Sequence, residues 1–143
     1  ITKNMNIKIL FFLLVFLSNS LWAGKLKINV KNIHEKVGSI HFALYNKPDF
    51  FPEKKGKILG LVKDAEEIFK EGLLIEDLKE SNYAVAIFHD ENSNDEFDTF
   101  WSIPQEKYGF SNDAEVFLGP PNFEDASFFV GIDDFVEIDI ELR

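Results

Sequence analysis

The sequence contains no cysteine, and this absence excludes several kinds of chemistry together. Without cysteine the chain cannot form disulfides, bind iron–sulfur clusters, use a thiol nucleophile or hold zinc through thiolates. Basic residues are also scarce, with 15 Lys and Arg against 25 Asp and Glu and a formal net charge of −10. Because phosphate binding depends on clustered Lys and Arg, this balance disfavours nucleic acid as a partner.

The amino end carries the longest apolar run, from Ile9 to Leu17, which follows two lysines. No acidic residue occurs in residues 1–23. This pattern predicts a secretory signal peptide over 1–23, cleaved after Ala23 or alternatively after Ser20. A membrane anchor is disfavoured, because the run is far shorter than the roughly 20 residues that span a bilayer. We therefore expect export to the periplasm or the extracellular space, no stable membrane span after cleavage, and a mature charge of −12 from 13 basic and 25 acidic residues.

The remainder, residues 24–143, is predicted to be one all-β domain. Alternation of polar and apolar residues, or a short apolar run, is typical of strands. The predicted strands are 25–33, 37–46, 57–62, 73–78, 83–89, 126–130 and 135–142. Segment 64–70 fits either a helical turn or a strand, and the short link 34–36 predicts a hairpin.

No segment offers the amphipathic helices of 10–15 residues that parallel crossovers need. The predicted fold is therefore an antiparallel seven-stranded β-sandwich, transthyretin-like or Ig-like, with a core rich in phenylalanine. Segment 83–89 is apolar on both faces and is predicted to be the central strand. The polar segment from His89 to Asp125 is predicted to be one long loop, packed down by its aromatic residues. Within it Trp101 and Tyr108 could stack on a sugar if exposed, but burial is the expectation.

One motif in this loop points to a cation. Asp90, Asn92, Asn94 and Asp98 occupy positions 1, 3, 5 and 9 of an EF-hand-type calcium loop, in which alternate oxygens face one Ca²⁺. The match is incomplete, because the turn glycine and the acid at position 12 are replaced by other residues. Glu115, Glu124 or Asp125 would have to supply that acid. The alternative is a turn in which the Asx side chains accept hydrogen bonds from their own backbone.

The same loop suggests a binding face and, less strongly, catalysis. Asn112, Glu124 and Asp125 are predicted to join the four motif residues in one binding face. His89 and Asp90 form a His–carboxylate pair of the kind used in acid–base catalysis, but the expectation is a strand-end histidine bonded to a neighbouring loop. The chain has no Gly-x-Ser-x-Gly motif and no His spacing typical of zinc enzymes.

Three blocks resemble the DUF2141 family of uncharacterised exported bacterial proteins, mostly from Gram-negative species. They are the blocks at 83–92, 108–112 and 119–126. The resemblance spans 26–143 and implies a signal peptide followed by one β-sandwich, with no established activity, substrate or cofactor. The family loop resembles His-Asp-Glu-Asn-Gly-Asn-Gly, with glycines where Ser93 and Asp95 stand in this chain.

Two functions follow from these features. The first is a non-enzymatic exported binding or structural module of the cell envelope, whose partner is a protein or an envelope glycan and whose loop is calcium-stabilised in one of the two interpretations. The second is a periplasmic hydrolase that uses a metal or the pair of His89 and Asp90. The acidic charge disfavours anionic polymers and membrane headgroups as partners.

Overall fold

The computed structural model describes residues 23–143. The predicted signal peptide, 1–23, lies outside these residues except for Ala23. The strands are β1 (Gly24–Lys31), β2 (Ser39–Tyr45), β3 (Leu59–Asp64), β4 (Leu73–Leu78), β5 (Ser81–Asp90), β6 (Thr99–Phe100), β7 (Ile103–Pro104), β8 (Tyr108–Phe110), β9 (Phe128–Val130) and β10 (Phe135–Glu141). The helices are α1 (Ala65–Glu71), α2 (Phe123–Ala126) and two 3-10 turns, Lys54–Gly56 and Ser111–Asp113.

The prediction of an all-β chain is confirmed. Each of the seven predicted segments contains a strand, namely β1 to β5, β9 and β10. The count of seven is too low, because the described residues form ten strands. The three extra strands, β6, β7 and β8, are two or three residues long and lie within the predicted loop. Segments this short leave no measurable alternation in a sequence.

Two larger sheets form the domain. The first has the order β10-β1-β4, and the second has the order β3-β2-β5-β8, with β9 also paired to β5. β1 and β10 are parallel, so the prediction of a purely antiparallel arrangement is wrong for this pair. The hairpin predicted at 34–36 is also wrong, because β1 and β2 lie in different sheets. The link instead carries the chain from one sheet to the other.

Apolar residues from both sheets share one core. Among the described residues buried in this core, only Phe42 is a phenylalanine, so the prediction of a core rich in phenylalanine is wrong. Leu26 and Ile28 of β1, Ile40 of β2 and Val85 of β5 are almost completely buried in the shared core. These positions follow the alternation in the sequence, since successive side chains of a strand point to opposite faces. β5 pairs with β2 on one side and with β8 and β9 on the other, so the prediction that it is central is confirmed.

The segment that fitted two structures, 64–70, is mostly helical. β3 ends at Asp64, and the Oδ1 atom of this residue accepts hydrogen bonds from the amides of Glu66 and Glu67, both at 3.0 Å. Such an N-cap satisfies amides that have no partner within the helix. Ile68 of α1 is buried in the main core, so the helix closes one end of it.

A second, smaller apolar cluster lies on the outer face of the β5 sheet. It contains Tyr45, Ala84, Phe110, Phe123 and Ala126. The Tyr45 hydroxyl donates to the carbonyl oxygen of Pro52 at 2.8 Å, and burial raises the pKa of Tyr45 to about 12. This contact holds the segment after β2 against the sheet.

The prediction of a packed loop at 89–125 holds only for part of it. Phe110 and Phe123 are buried, whereas the side chains of Trp101 and Phe117 are 85% and 84% exposed. The expected burial of Trp101 is therefore wrong. β6 and β7 pair only with each other, so the turn that carries Trp101 has no sheet to pack against.

Candidate functional site

Asp90 is completely buried at the end of β5 and has three hydrogen-bond donors. The amide of Asn94 donates to Oδ1 at 3.1 Å, and the amide of Asp95 donates to Oδ2 at 2.9 Å. His41 of β2 places its Nε2 atom 3.2 Å from Oδ2. Burial acts to raise the pKa of Asp90, but the amides of Asp95 and Asn94 and the His41 ring together hold this pKa below its ordinary value. Asp90 therefore anchors the following turn as a carboxylate.

The turn after Asp90 is closed by its own side chains. Asn92 Oδ1 accepts from the amide of Asn94 at 3.1 Å, and Asn94 Oδ1 accepts from the amide of Glu96 at 3.0 Å. The Nδ2 atoms of both asparagines donate to the Asp98 carboxylate, at 2.7 Å from Asn92 and 2.9 Å from Asn94. The two bonds from backbone amides to Asn92 Oδ1 and Asn94 Oδ1 are those of Asx turns.

The structure thus brings Asp90, Asn92, Asn94 and Asp98 together, but with their oxygens directed at hydrogen-bond donors. The predicted calcium site remains a prediction. A cation among these four residues would have to replace the hydrogen bonds that the two asparagines donate to Asp98.

A different group of ligand atoms lies beside this turn. His41 Nε2, Asp90 and Asp95 each offer one atom, and these atoms lie within 4.8 Å of one another. Such a group has the size of a metal site, although similar groups occur without a metal. Sequence reasoning missed His41, because its approach to Asp90 depends on the register of β2 against β5, which no local pattern reveals.

The structure does not bring the side chains of His89 and Asp90 together, and His89 instead bonds to a neighbouring loop as expected for a histidine at a strand end. The two residues are successive on β5, so their side chains point to opposite faces of the sheet. His89 is buried on the core face, where its Nε2 atom lies 2.7 Å from the carbonyl oxygen of Val37. One substrate cannot contact both side chains, so this pair supports no catalytic mechanism.

Asn112, Glu124 and Asp125 lie at the other end of β5. The Nδ2 atom of Asn112 donates to the carbonyl oxygens of Asp125 and Ser127 at 3.2 and 2.7 Å. The neighbouring Ser111 accepts a hydrogen bond from the amide of Val85, and Val85 precedes Asp90 by five residues on the strand, a separation of roughly 17 Å. The three residues therefore lie near one another, but they are well separated from the Asp90 turn along the strand.

The larger feature on this side of the molecule is a groove of about 1050 Å³. Its floor is the outer face of the β5 sheet, where two rows of residues run across paired strands. One row is Gly60, Ala43, Ala86 and Phe110, and the next is Val62, His41, Phe88 and Tyr108. The groove exists because the centre of the first row carries a glycine and two alanines instead of larger side chains.

Segments on both sides of this floor form the walls. Pro52, Lys54 and Lys57 line the groove on the side of β3. Further lining residues come from the segments after β5 and after β8, and they are Asp95, Glu96, Phe97, Thr99, Ser102, Pro104, Val116, Gly119 and Pro120. The His41 and Phe88 rings stack at 4.4 Å on the floor, so an occupant would meet a mainly apolar and aromatic surface.

A family model matches most of the chain. The model of the family DUF2141, described as an uncharacterized protein conserved in bacteria, matches residues 28–137. The chain belongs to the DUF2141 family. No curated protein and no solved structure matches it.

The structure explains a feature of the DUF2141 loop as it appears in this chain. Ser93 and Asp95 have positive φ values of 58° and 62°. Glycine adopts this conformation at no steric cost, which accounts for glycines at these two positions in the loop that the chain resembles. The turn thus keeps its shape in this DUF2141 protein with Ser and Asp in the left-handed region. Within residues 23–143, no helix is long and apolar enough to cross a membrane.

Proposed function

We propose that this DUF2141 protein is an exported, non-enzymatic binding protein of the cell envelope, and that the groove on its outer sheet binds a ligand with an apolar body. The observation that carries the proposal is the groove itself. Its volume of about 1050 Å³ is just above the size range of small-molecule sites, roughly 300–1,000 Å³. Sites of this kind combine an apolar lining with a few polar groups, as this groove does.

The chemistry of the floor favours an apolar ligand over a glycan. Gly60, Ala43, Ala86 and Phe88 carry no polar side-chain atom, whereas the hydroxyls of a sugar need hydrogen-bond partners when they leave water. A protein partner would enter this groove only through an apolar side chain or segment. The transthyretin-like or Ig-like sandwich and the signal peptide remain part of the proposal.

The contacts of His41 and Asp90 support binding over hydrolysis. Asp90 is completely buried, so substrate would reach only the His41 side of this pair. Hydrolysis with a metal at His41, Asp90 and Asp95 is the alternative that the experiment must separate from binding.

The experiment measures whether the groove takes up a neutral apolar probe. 1-N-phenylnaphthylamine fluoresces in apolar surroundings, and we expect the purified protein to bind it saturably. Ala43→Phe, at the centre of the floor, should abolish binding by filling the groove. Val62→Phe, at an exposed floor position, is a second blocking variant with little effect on folding.

The matched control is Leu74→Phe. Leu74 is an exposed apolar residue on β4 of the other sheet, and it does not line the groove. Thermal melts establish that each variant is folded. Absence of probe binding in the unaltered protein, or equal binding by all three variants, would refute the proposal. Turnover of ester, glycoside or phosphate substrates with added zinc, lost in folded His41→Ala, would establish the hydrolase instead.

A further inference from the structure

We infer that the ligand of this groove is a small amphiphile with one anionic group, a single-chain or aromatic carboxylate, and that Lys57 binds the anion with Lys54 beside it. This inference rests on the proposed function, because it specifies the chemistry of the molecule in the same groove. It comes from two observations: the position of Lys57 on the floor, and the distribution of charge around the groove.

Lys57 reaches over the floor of the groove. A Cβ atom built on Gly60 would lie 2.7 Å from Lys57 Nζ, so the ammonium group lies directly above this glycine. Gly60 is in register with Ala43, which is in register with Ala86. The ammonium is therefore next to the centre of the apolar floor, where it can contact the end of a molecule that lies along that floor.

Neither lysine of this wall is paired within the protein. Over residues 23–143, Lys54 and Lys57 have no carboxylate within 4.0 Å, although the neighbouring Lys55 is paired with Glu53 at 3.2 Å. Both ammonium groups can therefore bind an anion that enters the groove, without first breaking an ion pair within the protein. An anionic group in the ligand would supply the missing partner.

Acidic residues line another part of the groove, where Asp95 Oδ1 lies 3.6 Å from His41 Nε2 in the second row of the floor. Asp95 and Glu96 line the groove on the side of the loop after β5. An anion would be repelled by these two carboxylates and attracted by Lys54 and Lys57, so the charges favour one orientation of an asymmetric ligand. The apolar body then lies over Ala43 and Ala86, against Phe88 and the aromatic side chains of β8.

The shape of the site favours a single molecule over a membrane surface. Ala43 and Ala86 lie at the bottom of the groove, with the walls rising on both sides. A flat bilayer would touch the tips of the walls before it touched this floor. A monomeric amphiphile reaches the floor and buries its apolar part there.

The test compares three probes that share a ten-carbon chain: decanoate, decanol and decyltrimethylammonium, each below its aggregation concentration. Each probe competes with bound 1-N-phenylnaphthylamine. We expect decanoate to displace it at lower concentration than decyltrimethylammonium does, and added salt to reduce this difference. Lys57→Gln should weaken decanoate about two- to fivefold, the effect of losing a solvent-exposed ion pair, and leave decanol unchanged.

Lys79→Gln is the control, since it removes the same charge from an exposed residue that does not line the groove. Lys54→Gln provides a second variant on the same wall. If decyltrimethylammonium competes as well as decanoate, or if Lys57→Gln and Lys79→Gln behave alike, the inference is wrong and the groove remains a neutral apolar site. If the naphthylamine does not bind at all, the proposed function fails as well. Binding of decanoyl vesicles without binding of monomeric decanoate would identify a membrane surface as the ligand and contradict the inference.

Discussion

His41 Nε2 lies 3.2 Å from Asp90 Oδ2, and this contact joins the outer face of β2 to the end of β5. An ionised carboxylate only accepts hydrogen bonds, so the imidazole donates through Nε2–H. Two backbone amides of the following turn donate to the same carboxylate. The pair therefore connects the sheet beneath the groove with one of the groove walls.

Asp90→Asn should destabilise the protein by about 1–3 kcal/mol, the range for a buried group left without a proper partner. The asparagine Nδ2 atom is a donor, and it would face either the amide of Asn94 or that of Asp95. Urea unfolding at neutral pH measures the free energy. Asp95→Asn is the control, since the Asp95 side chain is 79% exposed. A loss below 0.5 kcal/mol for Asp90→Asn would contradict the assigned role.

The loss should depend on pH in a defined direction. The pKa of Asp90 is lowered by folding, so its contribution to stability is fully present above its pKa in the unfolded chain, about 4. That contribution disappears as the pH falls through the lower pKa of the folded state. The difference between the unaltered protein and Asp90→Asn should thus be constant from neutral pH to about pH 5 and shrink below about pH 4. If the difference in unfolding free energy grows on acidification, the pKa of Asp90 is raised by folding and not lowered.

Ser111→Ala should cost about 1–3 kcal/mol, because two buried backbone groups lose their partner. Ser111 is completely buried; its Oγ atom accepts from the amide of Val85 at 2.9 Å and donates to the carbonyl oxygen of Ala126 at 2.6 Å. Ser127→Ala is the matched control, since its hydroxyl bonds a carbonyl near the surface. Chemical unfolding compares the two variants, and equal effects would contradict the prediction.

Calcium at millimolar concentration should leave the melting temperature unchanged. The Asn92 and Asn94 oxygens already accept backbone amides, and Asp98 already accepts both side-chain amides. Scanning calorimetry of metal-free protein with calcium or magnesium provides the measurement. A rise in calcium alone that is absent in Asp98→Asn would establish the calcium site that the sequence motif predicts.

The fluorescence of Trp101 should show that this residue is exposed to solvent. Once residues 1–23 are removed it is the sole tryptophan of the chain, and its side chain is 85% exposed. We expect emission typical of an indole in water, with efficient quenching by acrylamide. Trp101→Ser should change the free energy of unfolding by less than about 0.5 kcal/mol, as surface substitutions do. A shielded indole in the monomer would show that this turn packs against the sheet.

The hydrophobic pattern of the chain was a good guide to the strands and a poor guide to their partners. Alternation located β1 and β10, because each residue of a half-buried strand responds to its own face of the sheet. It could not show that these two strands pair with each other in parallel, since their partners are distant in sequence. The short link after β1 suggested a hairpin, because the length of a link does not show that the two strands belong to different sheets.

In the candidate site, too, the sequence predicted the local contacts but not the contacts between distant residues. The spacing of Asp90, Asn92, Asn94 and Asp98 identified one local unit, because an Asx turn forms between residues close in sequence. Nothing in the sequence indicated that His41 is the partner of Asp90, because the contact depends on the register of β2 against β5. The composition also could not show that Trp101 is exposed, since aromatic content does not indicate whether a sheet lies beneath a loop.

By itself the sequence determined the all-β character of the chain and the closed turn after β5, because both depend on residues within a few positions of one another. Tertiary structure alone decided the groove. Gly60, Ala43 and Ala86 are unremarkable in the sequence, and they form an empty row only because the register of three strands places them side by side. Register is set by packing across the whole sheet, and it turns three small residues into the floor of the groove that we propose as a binding site.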